Sequence, residues 1–371
     1  MKEVDIVIVG GGPAGLAAAL TAASCNASVL LVDDGLKLGG QLIKQTHKFF
    51  GSSQQFAGIR GIEIARNFIH EIKKSSNIEV LTQATVTGYY EDGVLTILEG
   101  FNGNRLIKVK PKRMIVATGA SENMLPFINN DLPGVYGAGA VQTLMNVYGV
   151  VPGRQVLMVG AGNIGLIVAY QLMQAGIQVK AIVEAMPSIG GYWVHASKIR
   201  RLGVPIYTSC TLKEVKGNEE IEGVTICHID KDFNFIPQTE KEFNVDTVCL
   251  AVGLSPLTEL LWQADCQMVY IPELCGYVPQ RDENMKTSND RIYIAGDVAG
   301  IEEASSAMIE GQVAGLNAAA SLDLYHQEYS QMNQQFKRQL AQLRNNAICE
   351  AITRGIQKAT IKKGGAHVYS R

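Results

Sequence analysis

Val4-Asp5-Ile6-Val7-Ile8-Val9 runs into Gly10-Gly11-Gly12-Pro13-Ala14-Gly15, and Val156-Leu157-Met158-Val159 runs into Gly160-Ala161-Gly162-Asn163-Ile164-Gly165. Each is a short apolar strand that ends in G-x-G-x-x-G and opens a helix. The first glycine of such a turn allows a tight exit from the strand. The second lets backbone approach a pyrophosphate, and the third lets helix and strand pack. The following helix aims its free N–H groups and positive dipole end at phosphate. Gly10, Gly12, Pro13, Ala14 and Gly15 are therefore candidates for one dinucleotide site, and Gly160, Gly162, Asn163, Ile164 and Gly165 for a second. Two nucleotide cofactors in one chain imply electron transfer between them.

An acidic residue should close the next strand and hold a ribose. Asp33 follows Val29-Leu30-Leu31-Val32, 33 − 10 = 23 positions after the first glycine. Glu184 follows Val179-Lys180-Ala181-Ile182-Val183, 184 − 160 = 24 positions on. Both offsets fit the roughly 20 of the fingerprint. A carboxylate at 184 accepts from a ribose 2′-OH and repels a 2′-phosphate. No Arg or Lys stands between Ala185 and Trp193 to neutralise one, so NAD is expected rather than NADP. The competing role for Glu184 is a solvated strand-end carboxylate.

The 371 residues suffice for two domains, and 47% apolar with 18% charged residues is a globular α/β composition. A net charge of −2 offers nucleic acid no general attraction. The seven cysteines, at 25, 210, 227, 249, 266, 275 and 349, form no C-x-x-C, so neither a metal site nor a disulfide framework is expected. Asp5 breaks the N-terminal apolar run, and no uninterrupted apolar stretch of about 18 residues occurs. A cytoplasmic location is the default expectation.

Strand and helix signals alternate over residues 1–120, restart over 121–270, and resume at 271–324. The expected fold class is α/β: two Rossmann-like domains, the second inserted in the first. Small antiparallel insertions are expected at 93–109 and 225–243. The first domain's core strand starts at Arg113 and runs into Ala117-Thr118-Gly119, a glycine ending repeated at Ala251-Val252-Gly253. Residues 325–371 form a helical C-terminal tail. Its apolar positions are Met332, Phe336, Leu340 and Leu343, then Ile348, Ile352 and Ile356. From residue 331 it carries eight Lys or Arg and one Glu. That pattern suits a solvated face, or else a surface for a partner or a second copy of the chain.

Gly10–Gly15, Ala117-Thr118-Gly119, Gly160–Gly165, Ala251-x-Gly253 and Gly296-Asp297 occur in the order found in two-dinucleotide-binding-domain flavoproteins, and over residues 1–320 the chain resembles thioredoxin reductase. The resemblance implies FAD in the first domain and a nicotinamide cofactor in the inserted one. It implies that Asp33 binds the FAD ribose, that Gly40 and Gln41 lie beside the FAD, and that Val86 meets the adenine by backbone. It also implies that Asp297 bonds the ribitol and that the helix from Ala304 aims at the flavin. Ala117, Thr118, Gly119, Gly253 and Gly296 complete the implied cofactor set. Asp297 also suits a helix N-cap.

No cysteine lies in Gly134–Val150 or Gly39–Phe50, where disulfide reductases of this kind carry theirs, so that activity is excluded. Leu132–Tyr136, Ala140–Asn146 and Gly296–Ala304 resemble the flavoprotein α subunits of heteromeric sarcosine oxidase, proline or hydroxyproline dehydrogenase and hydrogen cyanide synthase. There an amino or imino acid is oxidised mainly on a separate polypeptide, and the α-type protein passes electrons on. The tail holds only Cys349, so any iron–sulfur cluster would sit on another subunit. A flavin-containing or iron–sulfur partner is thus implied.

No catalytic residue follows from the residues alone. His47, a few positions beyond Gly40, is a candidate for proton relay or for lining a partner channel; a surface or capped histidine is the alternative. His195 is a weaker candidate, and Tyr192 and Trp193 are expected to pack. Three functions stay open: the electron-transferring subunit just described; a stand-alone NADH:acceptor oxidoreductase, including one serving a glycerol-3-phosphate-type anaerobic complex; or a scaffold holding a structural adenine nucleotide.

Overall fold

In this computed structural model the described residues are 1–371 without 101, 104, 347–348 and 362–371. The chain forms two compact units. Unit 1 comprises Met1–Ile43, Lys48–Ser121 and Ser255–Arg371; unit 2 comprises Lys44–His47 and Glu122–Leu254.

Unit 1 begins with β1 (Lys2–Val9), α1 (Pro13–Ser24), β2 (Val29–Val32), α2 (Gly61–Lys74) and β3 (Ile78–Leu81). A meander follows through β4 (Ala84–Tyr89), β5 (Leu95–Glu99) and β6 (Arg105–Val116). The sequence suggests separate strands for the end of the insertion and the core. Instead β6 does both. Its first half pairs antiparallel with β5, from Leu95↔Val109 to Glu99↔Arg105. From Val109 onward it pairs parallel with β1. Pro111 does not break the strand.

In unit 2, β7 (Val135–Gly137) and α3 (Ala138–Gln142) precede β8 (Gln155–Val159), α4 (Asn163–Gln174), β9 (Gln178–Glu184), α5 (Trp193–Arg201) and β10 (Ile206–Thr208). An antiparallel trio, β11 (Cys210–Lys216), β12 (Gly223–His228) and β13 (Lys241–Phe243), leads to β14 (Thr247–Leu250). This insertion starts at Cys210 rather than near Thr225. Back in unit 1 come α6 (Glu259–Gln263), β15 (Met268–Ile271), β16 (Gly276–Pro279), β17 (Ile292–Ile294), α7 (Ala304–Ala320), α8 (Tyr329–Arg344) and α9 (Glu350–Ala359). The return at Ser255 precedes 271 because Leu260, Leu261, Ala264 and Cys266 are buried in the core of unit 1.

The parallel strands of unit 1 are ordered β3-β2-β1-β6-β17, and those of unit 2 β10-β9-β8-β14-β7. Four strands follow the same order, and the outer fifth strand is the last of unit 1 but the first of unit 2. In both, the glycine turn follows the central strand, where the strand order reverses. That is where an open α/β sheet leaves a crevice for a ligand.

Helix α1 is buried nearly all round, so its alanines must pack on every side. Helix α7 lies against it. A Cβ on Gly311 would stand 2.1 Å from Ala14 O, and one on Gly315 2.4 Å from Ala18 O. Backbone cannot retreat as a side chain can. The tail's apolar stripe is also accounted for within the chain. Phe336 and Leu340 are buried in the unit 1 core, with Met332 and Leu343 packed on it, while Ile352 and Ile356 pack on the β15–β16 hairpin. The apolar positions of the stripe, open in the sequence to a solvated face or a partner surface, are thus packed within the chain; Ile348 lies outside the described residues.

Overpacking costs about 1–3 kcal/mol, against the ~1 kcal/mol that alanine gains in helix propensity over glycine. Gly311→Ala is therefore expected to destabilise the protein by about 1–2 kcal/mol in urea denaturation. An unchanged midpoint would contradict the close approach of α1 and α7.

Candidate dinucleotide sites

The first turn is built by contacts that exclude a side chain. Gly10 has φ +105, and a Cβ there would lie 2.2 Å from Ala117 O. A Cβ on Gly15 would meet Gly10 O at 1.8 Å. Gly10 N–H donates to Val32 O at 2.8 Å, which ties the turn to the neighbouring strand. Gly12 differs: its Cβ would find nothing nearer than Gly40 Cα at 4.0 Å. It is the N-cap of α1, followed by Pro13 at the first helical position. No side chain caps the helix, and no acid stands in its first turn. The positive end of α1 is thus left to an external anion. Asp33 closes the cradle, accepting from Gly11 N–H at 2.6 Å and Gly35 N–H at 2.9 Å. Burial pushes its carboxyl pKa up, and those two bonds work against the rise. Both take up only part of a carboxylate's four lone-pair sites, so ribose hydroxyls can still be accepted.

The second turn repeats the first contact for contact. Gly160 has φ +104, and its Cβ would meet Ala251 O at 2.2 Å; that of Gly165 would meet Gly160 O at 2.1 Å. Gly160 N–H donates to Val183 O at 2.7 Å. Glu184 accepts from Ala161 N–H at 2.8 Å and Met186 N–H at 3.0 Å. Gly162 caps α4 without a side-chain bond, and its Cβ would meet nothing within 4 Å. A solvated strand-end carboxylate would not need to reproduce the bonds of Asp33. Asn163 Oδ1 accepts from Tyr192 N–H at 2.8 Å, and Ile164 is 40% exposed beside the open face.

The second cradle's counterpart of the Gly39-Gly40 loop, Gly190-Gly191, escaped the sequence reading. Gly39 N–H donates to Gly11 O at 2.8 Å, and Gly191 N–H to Ala161 O at 3.0 Å. Each glycine pair, Gly39-Gly40 and Gly190-Gly191, lays backbone across its cradle. The repeated Gly-Gly was the available signal: 39 − 10 = 29 and 191 − 160 = 31.

The remaining unit 1 candidates surround the first cradle. Gly40 and Gln41 open a 3-10 turn. Ala84 N–H donates to Asp33 O at 3.0 Å, which leads β4 and Val86 past the carboxylate. Ala117 N–H donates to Val9 O at 2.8 Å, and Thr118 Oγ1 to Leu257 O at 2.7 Å. Gly119 has φ +76 with open space at its Cβ. Gly296, φ +79, would place a Cβ 2.9 Å from that of Ala14. Asp297 is not the N-cap of α7. Glu303 holds that position, with Ala304 next, and α7 too has neither a side-chain cap nor an acid in its first turn. Burial, with Glu310 and Glu302 nearby, pushes the Asp297 carboxyl up to about 6 despite a bond from Glu302 N–H. In unit 2, Gly253 (φ +104) has only Asn123 Nδ2, at 3.3 Å, within reach of a Cβ.

His47, the proton-relay candidate, is half-enclosed among unit 2 residues. There burial first, and then His195 and Lys198, push its pKa down to about 4. It is neutral at pH 7. His195, on α5, is buried and likewise lowered by burial. Trp193 was expected to pack, yet as the first residue of α5 it is 74% exposed.

All seven cysteines are free, five of them are buried, and burial pushes Cys210 up to about 11. A thiol so raised offers no ready thiolate.

The sequence pattern of the pyridine nucleotide-disulphide oxidoreductase family matches residues 4–311, and the chain belongs to that family. The family is one of oxidoreductases. The chain is 30% identical over 285 residues to the alpha subunit of sarcosine oxidase from Rhizobium meliloti, covering 74% of this chain and 27% of that protein. It is 27% identical to one of the subunits of opine oxidase from Agrobacterium tumefaciens, covering 86% and 66%. The chain thus spans about a quarter to two thirds of these relatives' length. Among solved structures, thioredoxin reductase of T. acidophilum superposes with TM-score 0.70 at 23% identity, covering 87% of this chain and all of that one. L-proline dehydrogenase of P. horikoshii gives 0.67 at 24%, covering 91% and 59%. These two establish the fold. Among the described residues no helix is long and apolar enough to cross a membrane.

Two outcomes test the cradles. A methyl group at residue 12 or 162 meets no protein atom, so Gly12→Ala and Gly162→Ala should fold with melting temperatures near wild type. Each should weaken one nucleotide at least about tenfold by intruding on a pyrophosphate. Full binding by both would mean the open spaces are not phosphate sites. Second, an aspartate whose folded pKa is raised opposes folding once ionised. The stability of the apoprotein should fall as pH rises from about 4 through about 6. Asp297→Asn should remove that fall and melt higher than wild type at pH 8, with no difference below pH ~4. Parallel melting curves at all pH values would contradict a buried Asp297 carboxyl.

Proposed function

We propose that this chain is the electron-transferring FAD subunit of a heteromeric amino- or imino-acid dehydrogenase or oxidase, of the sarcosine, proline or hydroxyproline type. Its likeness to proteins named as subunits of sarcosine and opine oxidases carries this reading. Two complete cradles support it, as does the lack of an accessible thiol pair.

The proposed site map puts FAD in unit 1 and NAD in unit 2. FAD, when bound, exchanges a hydride with nicotinamide and passes electrons to other carriers. Asp33 holds the adenosine ribose, Val86 flanks the adenine by backbone, and Asp297 holds the ribitol. The helix from Ala304 sets its positive end against negative charge on the reduced ring. Glu184 holds the second ribose and disfavours a 2′-phosphate, so NADH is preferred to NADPH. The amino-acid substrate is oxidised on a partner subunit that carries its own flavin or iron–sulfur group.

Glu184→Ala should weaken NADH binding about tenfold, the worth of one charge-assisted hydrogen bond of about 1.5 kcal/mol, and narrow the preference over NADPH. An unchanged preference would remove Glu184 from the ribose site. The assembly is tested with a tagged chain expressed in its source cells. The expected result is copurification with a second redox subunit, with dye reduction by sarcosine, proline or hydroxyproline in the complex and none by the chain alone. A chain that purifies alone and turns over NADH with dye at full rate would make it a stand-alone NADH:acceptor oxidoreductase.

A further inference from the structure

Unit 1 holds a buried cluster of charges that the sequence reading did not assign. Arg281 and Glu310 are 3% and 2% exposed. Glu310, on α7, accepts from Gly296 N–H with one carboxylate oxygen at 2.9 Å. Its other oxygen accepts from Arg344 Nη2 at 2.6 Å and lies 3.6 Å from Arg281 Nη2. Arg344 also takes Glu302 in a two-pronged grip, Nε at 3.0 Å and Nη2 at 2.6 Å. Glu302 N–H reaches Asp297 Oδ1 at 3.4 Å, and Arg281 Nη1 donates to Ala299 O at 3.0 Å. The loop from Gly296 to Glu302 is thus held at four points, at Gly296, Asp297, Ala299 and Glu302.

Both arginines depend on the C-terminal tail. Arg344 is the last residue of α8. Arg281 is fastened by backbone to the end of α9, its N–H donating to Ala359 O at 3.1 Å and its carbonyl accepting from Ile361 N–H at 2.9 Å. The family match ends at residue 311, so Ala359, Ile361 and Arg344 lie beyond it. Burial opposes a charge on Arg344, but Glu310 and Glu302 hold it firmly protonated. A guanidinium can bridge two carboxylates in a plane, which an ammonium cannot do.

We propose that Arg344 is a positioning residue. From the tail it neutralises Glu302 and Glu310, and so fixes the Gly296–Glu302 loop in the conformation that presents Asp297 to FAD. The inference rests on the assignment of FAD to unit 1. Without Arg344, two buried carboxylates share one arginine, and the loop must move or take up a proton. The charged and titratable groups around Asp297 are Glu302, Glu310, Arg281, Arg344 and the Cys275 thiol.

The test is a fluorescence titration of the full-length apoprotein with FAD from pH 5 to 9, with urea stability measured alongside. Arg344→Gln should raise the FAD dissociation constant about tenfold at pH 8 and move the inflection of the pH profile upward, since lost positive charge makes the carboxyls easier to protonate. Arg344→Lys should recover only part of the affinity. Lys337→Gln, on the same helix but bound to Glu283 and Asn284, should bind FAD as wild type does. If Arg344→Gln does not fold, Arg344→Lys carries the test through the same shift in the profile. The proposal is overturned if an Arg344 variant keeps the wild-type affinity and profile, or if Lys337→Gln weakens FAD as much. A wild-type chain that binds no FAD would instead overturn the site assignment.

Discussion

The architecture depends on one kind of contact made twice: a strand-end glycine pressed against the carbonyl of a neighbouring strand. Gly10 sits against Ala117 O and Gly160 against Ala251 O, each leaving no space for a Cβ. That contact brings the turn, the helix start and the following carboxylate into one cradle. A parallel sheet that reverses order at its central strand opens a crevice there, and the glycines let backbone line it. Gly12 and Gly162, by contrast, face open space, so the fold itself does not require their smallness.

Much of this was legible in the sequence because close approach has a strict residue code. Only glycine fits at 10, 15, 160 and 165, and a carboxylate at the strand end can accept from several of the turn's N–H groups at once. The offsets of Asp33 and Glu184 therefore mark both cradles from the sequence alone. The path of β6 was less legible. The end of the insertion at 109 and the core strand from Arg113 read as two strands, whereas one strand pairs antiparallel over its first half and parallel over its second. The surroundings of His47 were not legible either. Its segment, Lys44–His47, is fastened into unit 2 through Lys44 O to Asn146 and Thr46 Oγ1 to Gln171.

The tail shows the limit of periodicity. Its apolar spacing gave the helices but not their partner, and an amphipathic stripe looks the same whether another molecule or the chain's own core covers it. Nor could sequence pair Arg344 with Glu302 and Glu310, 42 and 34 residues away. Buried charge is tolerated only when matched, and the matching here is three-dimensional.

The central claim is that two nucleotides bind this one chain and exchange electrons. The most direct measurement is an oxygen-free titration of the purified, flavin-loaded chain with NADH, following its visible spectrum. The account predicts that the flavin band near ~450 nm bleaches, with NADPH much less effective. A flavin band that NADH leaves untouched would contradict it, and would make the second cradle a structural or regulatory nucleotide site.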